Sequence, residues 1–196
     1  MPRGKPIIRP FRQGALDAYC GLYSIANAIQ HCLGGRHRFN EEQAEALFRY
    51  LLTKLAKRSR KTLLEVATVG TDTVDIKFLL PVVAAWVRKH LGYRLAWDQP
   101  FRRAKRTRAG AVYKSIETAI GTEGFAAIIG VVGPTHHWSV LTKMTAKRLI
   151  LLDSGVLHWI PRRRLFDCKR HRKGDDYRLV PEDTFIVSID RASSFV

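Results

Sequence analysis

Gln13-Gly-Ala-Leu-Asp-Ala-Tyr-Cys20-Gly-Leu-Tyr-Ser-Ile-Ala-Asn-Ala-Ile29 places a cysteine where a polar, turn-rich segment becomes an amphipathic helix. Leu22, Ile25, Ala26, Ile29 and Leu33 recur at helical spacing, which predicts a helix with this face against a core. Cys20 falls at or just before the first turn of that helix. The positive end of a helix dipole favours a thiolate, the form of cysteine that attacks carbonyls. A packing cysteine would fit the same position, since cysteine is among the most buried residue types. The sequence must therefore supply a base and an oxyanion donor.

The base comes from His136-His137-Trp138, after the apolar run Phe125 to Val132 and a Gly133-Pro134 turn. A second run, Arg148 to Leu152, ends at Asp153-Ser-Gly155. Read as a hairpin, the strand beginning near His137 and the strand ending near Asp153 share one open end, and the two residues lie nearly opposite. An acid there would fix the imidazole's tautomer and orientation. Adjacent strand residues face opposite sides, so only one histidine of the pair addresses Cys20. His137, on the face of Ser139 and Leu141, is the better placed. Two other acids have weaker cases: Asp17 is too near Cys20 in sequence and suits a helix cap, and Asp167 lies in a basic segment.

With these residues the chain resembles a papain-like cysteine peptidase. The resemblance rests on Gln13, on Cys20 and Gly21 at a helix start, on His137 at a strand start, and on Asp153 ending the next strand. It is closest in look to small bacterial members, the bacteriocin-leader-processing peptidases and papain-like secreted effectors or toxins. Tyr19 and Gly21 flank the cysteine where papain has a tryptophan signature. The resemblance implies a thiolate–imidazolium pair, hydrolysis through an acyl-enzyme, and an oxyanion hole shared by the Gln13 amide and the Cys20 backbone N–H. Its fold would be α+β, with an N-terminal helical part carrying the cysteine packed on a C-terminal antiparallel sheet.

Periodicity points to the same fold class. Asn40-Glu-Glu-Gln43 is a capping box opening a helix whose apolar face is Ala44, Leu47, Phe48, Leu51, Leu52 and Leu55. Residues 62 to 69 suit a short helix, and Gly70-Thr-Asp-Thr73 a loop. Pro81 suits the first turn of a helix closed by Gly92. Tyr93 to Trp97 reads as a short strand and 111 to 120 as a helix. Strands then follow at 124–132, 137–143, 148–153, 156–160 and 184–190. Helices followed by antiparallel strands make an α+β arrangement. A single domain over 1–196 is expected, helical over about 14–121 and β over about 124–190. The cleft would lie between the cysteine helix and the sheet edge carrying His137.

Three cysteines without a CxxC pair give neither a zinc framework nor a disulfide scaffold. Cys20 and Cys32, roughly 18 Å apart along a continuous helix, are too distant to bridge. His31 beside Cys32 and Cys168 near His171 lack a consistent ligand spacing, so no metal and no cofactor are expected. The basic start Met1 to Pro10 lacks the apolar stretch of a signal peptide, and no apolar run approaches a membrane span. These features fit a protein of a cytosol, or one delivered into a target cell without a cleaved signal.

Charge is the second loud feature. Thirty-four Lys and Arg against 17 acids give a net +17. The excess clusters at Lys54 to Lys61, at Arg102, Arg103, Lys105, Arg106 and Arg108, and at Arg162, Arg163 and Arg164 running on through Lys173. Such a surface speeds encounter with acidic partners. Aromatic residues are nearly absent from the clusters, which argues against a single-stranded nucleic-acid groove. Docking is the better use, to an acidic or DNA-associated protein substrate or to an acidic inhibitor or immunity protein. Two classes of function follow: a thiol peptidase (or the same triad used for deamidation or acyl transfer), and a non-catalytic basic nucleic-acid-binding domain.

Overall fold

The computed structural model describes residues 8–14, 18–58, 62–102, 109–133, 136–162, 165–166 and 177–191. The cysteine segment forms helix α1, Cys20–Leu33, and buries Leu22, Ile25, Ile29 and Leu33 to within 1% exposure. Burying each such side chain contributes about 1.5–3 kcal/mol, so α1 is fixed by its apolar face. Helix α2, Glu41–Lys57, starts in the expected capping box: the Asn40 side chain accepts from Gln43 N–H and the Gln43 side chain accepts from Asn40 N–H. Helix α3, Leu63–Thr68, has the same device in Thr62 and Glu65.

The next helix departs from expectation. Helix α4 spans Thr73–Leu91, with Pro81 in its interior rather than its first turn. Asp72 caps it in a box with Asp75, so Val69 to Asp72 form the connection from α3. A proline inside a helix removes one intrahelical hydrogen bond. Pro81 is exposed, and the buried face of Ile76, Leu79, Leu80, Val83 and Val87 keeps the helix continuous through it.

Strand β1, Tyr93–Asp98, precedes helix α5, Ala109–Ile120. Then come β2, Phe125–Val132; β3, His136–Met144; β4, Arg148–Leu152; β5, Trp159–Pro161; β6, Leu165–Phe166; and β7, Tyr177–Arg191. The sheet order is β1-β7-β2-β3-β4-β5, antiparallel throughout, with β6 pairing parallel to β7. The chain is thus α+β, an N-terminal helical region on a mainly C-terminal antiparallel sheet. Three boundaries shift, the first at β5, which covers Trp159–Pro161 where the apolar pattern pointed to 156–160. β1 belongs to the sheet although it precedes α5, so the sheet reaches into the stretch expected to be helical. β7 begins at Tyr177, not at 184: Pro181, Glu182 and Asp183 form a bulge opposite the Ile129/Gly130 step of β2.

The sheet is covered on both faces. Ala126, Ile128, Trp138, Val140, Phe185 and Val187 join the core of α1, α2 and α4. Ala127, Ile129, Val131, Leu141, Leu149 and Leu151 join Val112 and Ile116 of α5. This is why β2 reads as a continuous apolar run instead of an alternating one. β3 lies inside the sheet between β2 and β4, so His137 stands at a strand end and not on a lateral edge of the sheet.

Candidate active site

Cys20 is the first residue of α1 and is half-buried. Tyr19 is the N-cap and supplies no side-chain cap, so the positive end of the α1 dipole lies at the cysteine without a capping oxygen. His137 is the second residue of β3, paired with Val131. By alternation it shares a side with Leu141 of the α5 core, while Cys20 packs on the α1 core. The two meet at the open end of β3, beyond the sheet's covered faces.

Asp153 follows β4 directly and is 1% exposed. His137 Nε2 and Asp153 Oδ2 are 2.7 Å apart. The other carboxylate oxygen, Oδ1, accepts from the N–H groups of Gly155 at 2.8 Å and Leu157 at 3.2 Å. A carboxylate with both oxygens occupied in this way is locked, and it locks the imidazole plane. The Cys20 thiol is the ring's other polar neighbour and also raises its proton affinity.

The electrostatics follow. Burial alone would depress the imidazole pKa. The hydrogen bonds and charges of Asp153 and Cys20 outweigh it and raise His137 to about 10. Burial alone would raise the Asp153 carboxyl. The hydrogen bond and charge of His137, the nearby Ser139 hydroxyl and the Gly155 N–H reverse this and hold it below its ordinary value. At neutral pH the ring therefore carries its proton.

Gln13 is tied to the same loop. Its backbone N–H donates to the Ser154 carbonyl at 2.9 Å, and the Ser154 hydroxyl donates to Gln13 Oε1 at 3.5 Å. The residue after the orienting acid thus holds the expected oxyanion donor. Ser154 is 1% exposed and had no distinguishing mark in the sequence, where Asp-Ser-Gly reads as ordinary turn chemistry. The connection 69–72 is a second unforeseen part of the site. Trp138 Nε1 donates to the Thr71 carbonyl at 2.9 Å, and Gly21 packs against Thr71 from the cysteine side. Thr71 thereby braces the residue after Cys20 against the residue after His137.

The alternatives separate. His136 is exposed and sits in the field of Asp183, which hydrogen-bonds Thr73 at the start of α4. Cys32 is buried with its Sγ 3.7 Å from the Val187 carbonyl, and burial pushes its thiol pKa up. Asp17, Asp167, Cys168, His171, Arg103, Lys105, Arg106, Arg163 and Arg164 lie outside the described residues. Of the expected docking arginines, Arg102 is exposed. Arg162 donates to the Thr145 carbonyl at 3.2 Å and lies 4.0 Å from Glu117. Among the described residues no three His, Cys, Asp or Glu side chains are grouped to hold a metal, and no helix is long and apolar enough to cross a membrane. A groove of about 1500 Å³ lies between residues 8–12, α1 and α2, away from Cys20, His137 and Asp153. Its charges are mixed, with Arg9, Arg12 and Arg38 facing Glu41, Glu42 and Glu45. No family model, curated protein or solved structure matches this chain.

Proposed function

We propose that the chain is a papain-like cysteine peptidase acting as one domain, with Cys20 as nucleophile, His137 as proton carrier, Asp153 as orienting acid and Gln13 as oxyanion donor. The observation that carries this reading is His137, hydrogen-bonded to Asp153 through Nε2 and near enough to the Cys20 thiol for it to raise the ring's proton affinity. A His137 that holds its proton at neutral pH fits an ion-pair mechanism. Cys20 sulfur attacks the substrate carbonyl carbon, forming a C–S bond while the Gln13 amide and the Cys20 N–H stabilise the oxyanion. The C–N bond breaks as His137 gives its proton to the leaving amine. Water, deprotonated by His137, then cleaves the thioester and frees the acid and the thiol. Deamidation or acyl transfer would use the same acyl-enzyme with another leaving group or acceptor.

The likeness to secreted effectors, with the +17 charge, supports a toxin or effector that acts in a target cytosol on an acidic or DNA-associated protein, restrained by an acidic inhibitor or immunity protein. The same charge is the one observation favouring the second reading, a basic nucleic-acid-binding domain. Iodoacetamide labelling of Cys20 across pH, located by mass spectrometry in wild type and His137→Ala, decides between them. Fast labelling below about pH 8 that slows in the variant is the expected result. An ordinary thiol profile indifferent to His137 overturns the peptidase and calls for nucleic-acid binding against salt.

A further inference from the structure

Asn27 is a polar, fully buried residue in the middle of α1, between Ile25 and Ile29. Its Oδ1 accepts from the Phe11 N–H at 2.8 Å, and its amide nitrogen donates to the Phe11 carbonyl at 3.3 Å. One side chain thus holds both polar backbone groups of one residue. Phe11 also packs on the α1 core and meets Phe39 edge-to-face, with ring centroids 5.7 Å apart. Two residues on, the Gln13 N–H donates to the Ser154 carbonyl. Two residues of chain span at most about 7 Å, so Gln13 stays within that reach of the Phe11 anchor. Asn27 follows Cys20 by seven residues in one continuous helix. That is about 700° of turn, which returns Asn27 to the face of Cys20 about 10 Å along the axis.

The Phe11 ring alone would hold this segment down, but burial is non-directional and lets a segment slide. The Asn27 amide adds register: a donor and an acceptor set against the C=O and N–H of a single residue fit that residue and no other. The segment fixed in this way carries Gln13, and the helix that fixes it carries Cys20. We propose that Asn27 is a positioning residue of the oxyanion site, setting through Phe11 where Gln13 stands relative to Cys20. This rests on the peptidase reading. The step it serves is acylation: sulfur bonds to the carbonyl carbon, the C=O π pair moves onto oxygen, and the leaving group departs as that pair returns. A donor displaced by about 1 Å loses much of its hold on the oxyanion. The reactivity of the sulfur itself, governed by His137, is not altered by such a displacement.

The test compares two reactions of the Cys20 sulfur in the full chain. p-Nitrophenyl acetate acylates it through an oxyanion, whereas iodoacetamide alkylates it by losing iodide, with no oxyanion. The ratio of the two rates, each corrected with Cys20→Ala, is read in wild type, Gln13→Ala, Asn27→Ala and the double variant. Asn27→Ala is expected to lower the ratio by ~10-fold or more. On top of Gln13→Ala it should add less than ~2-fold, because both changes act on one donor. An asparagine that serves the fold alone would slow both reactions together, or add its full loss to that of Gln13→Ala; either result overturns the proposal. Asn27→Asp keeps the volume and, when ionised, accepts from the Phe11 N–H but has nothing to donate to the Phe11 carbonyl. Its ratio, taken against wild type, should fall and then recover at lower pH as the carboxyl gains a proton, and it decides the matter if Asn27→Ala does not fold. A ratio unchanged across pH overturns the proposal as well. A ratio indifferent to Gln13→Ala is a separate failure, which removes the oxyanion role of Gln13 and that of Asn27 with it. Iodoacetamide labelling that ignores His137 removes the peptidase reading itself.

Discussion

The backbone N–H of Gln13 donates to the carbonyl of Ser154, 2.9 Å away, joining the segment before the cysteine to the residue after the buried acid. One loop therefore serves two ends of the site: Asp153 holds the imidazole and Ser154 holds the glutamine. Gln13→Ala is expected to lower turnover by ~100-fold while leaving the iodoacetamide labelling rate of Cys20 near that of wild type. Comparing kcat/KM with the labelling rate checks this, and parallel losses in both would place Gln13 in the fold and not at the oxyanion.

The His137–Asp153 pair gives stability a defined pH window. His137 is raised from 6.5 to about 10, so its contribution is complete below 6.5 and is lost as pH rises through about 10. Asp153 is lowered from 3.8, so its contribution is complete above 3.8 and is lost as pH falls through its folded value. The Tm difference between wild type and Asp153→Asn should be largest between about pH 4 and 6.5 and should shrink toward pH 10. Turnover should fall on the same alkaline limb, because a neutral ring has no proton for the leaving amine. A Tm difference that grows above pH 8 would contradict the assignment.

Gly21 has no room for a side chain. A methyl group there would strike the Thr71 hydroxyl and come within 2.9 Å of Ile76 Cδ1. Gly21→Ala is expected to cost about 1–3 kcal/mol and to displace Cys20, slowing its labelling. Adding Thr71→Ala removes the clashing oxygen and should restore part of the loss in thermal unfolding. No recovery would mean that the space is closed by more than Thr71.

Pro81 makes the opposite prediction. It is exposed within α4 and leaves the Lys77 carbonyl without its helical donor. Pro81→Ala should raise stability by about 1 kcal/mol or more, a Tm gain of roughly 2–4 °C per kcal/mol. A lower Tm would show that the packing of α4 needs the proline ring itself.

Pro81 also shows where the sequence was readable and where it was not. Residue-local signals came through: the Asn40 and Gln43 box, the 3.6-residue stripe after Cys20, and the open end shared by His137 and Asp153. The α4 start did not, because Asp75 fills the third position of its box where Glu or Gln is the usual mark, and the proline drew the start to itself. The first half of β7 was hidden by Pro181, Glu182 and Asp183, which read as a break and form a bulge. Ser154 and Thr71 act through contacts with distant segments, and nothing in their immediate neighbourhood records that. The same holds for Asn27, whose partner Phe11 lies 16 residues away.

β7 lies between β1 and β2, and so the sheet has no continuous order until residues 177–191 are in place. A ribosome making this chain delivers the cysteine first, its histidine and acid much later, and the strand that fastens β1 to them later still. Any pairing of Cys20 with His137 in this frame is thereby deferred until residues 177–191 have been made. A chain halted before Tyr177 would carry every residue of the candidate triad and still lack the frame that aims them.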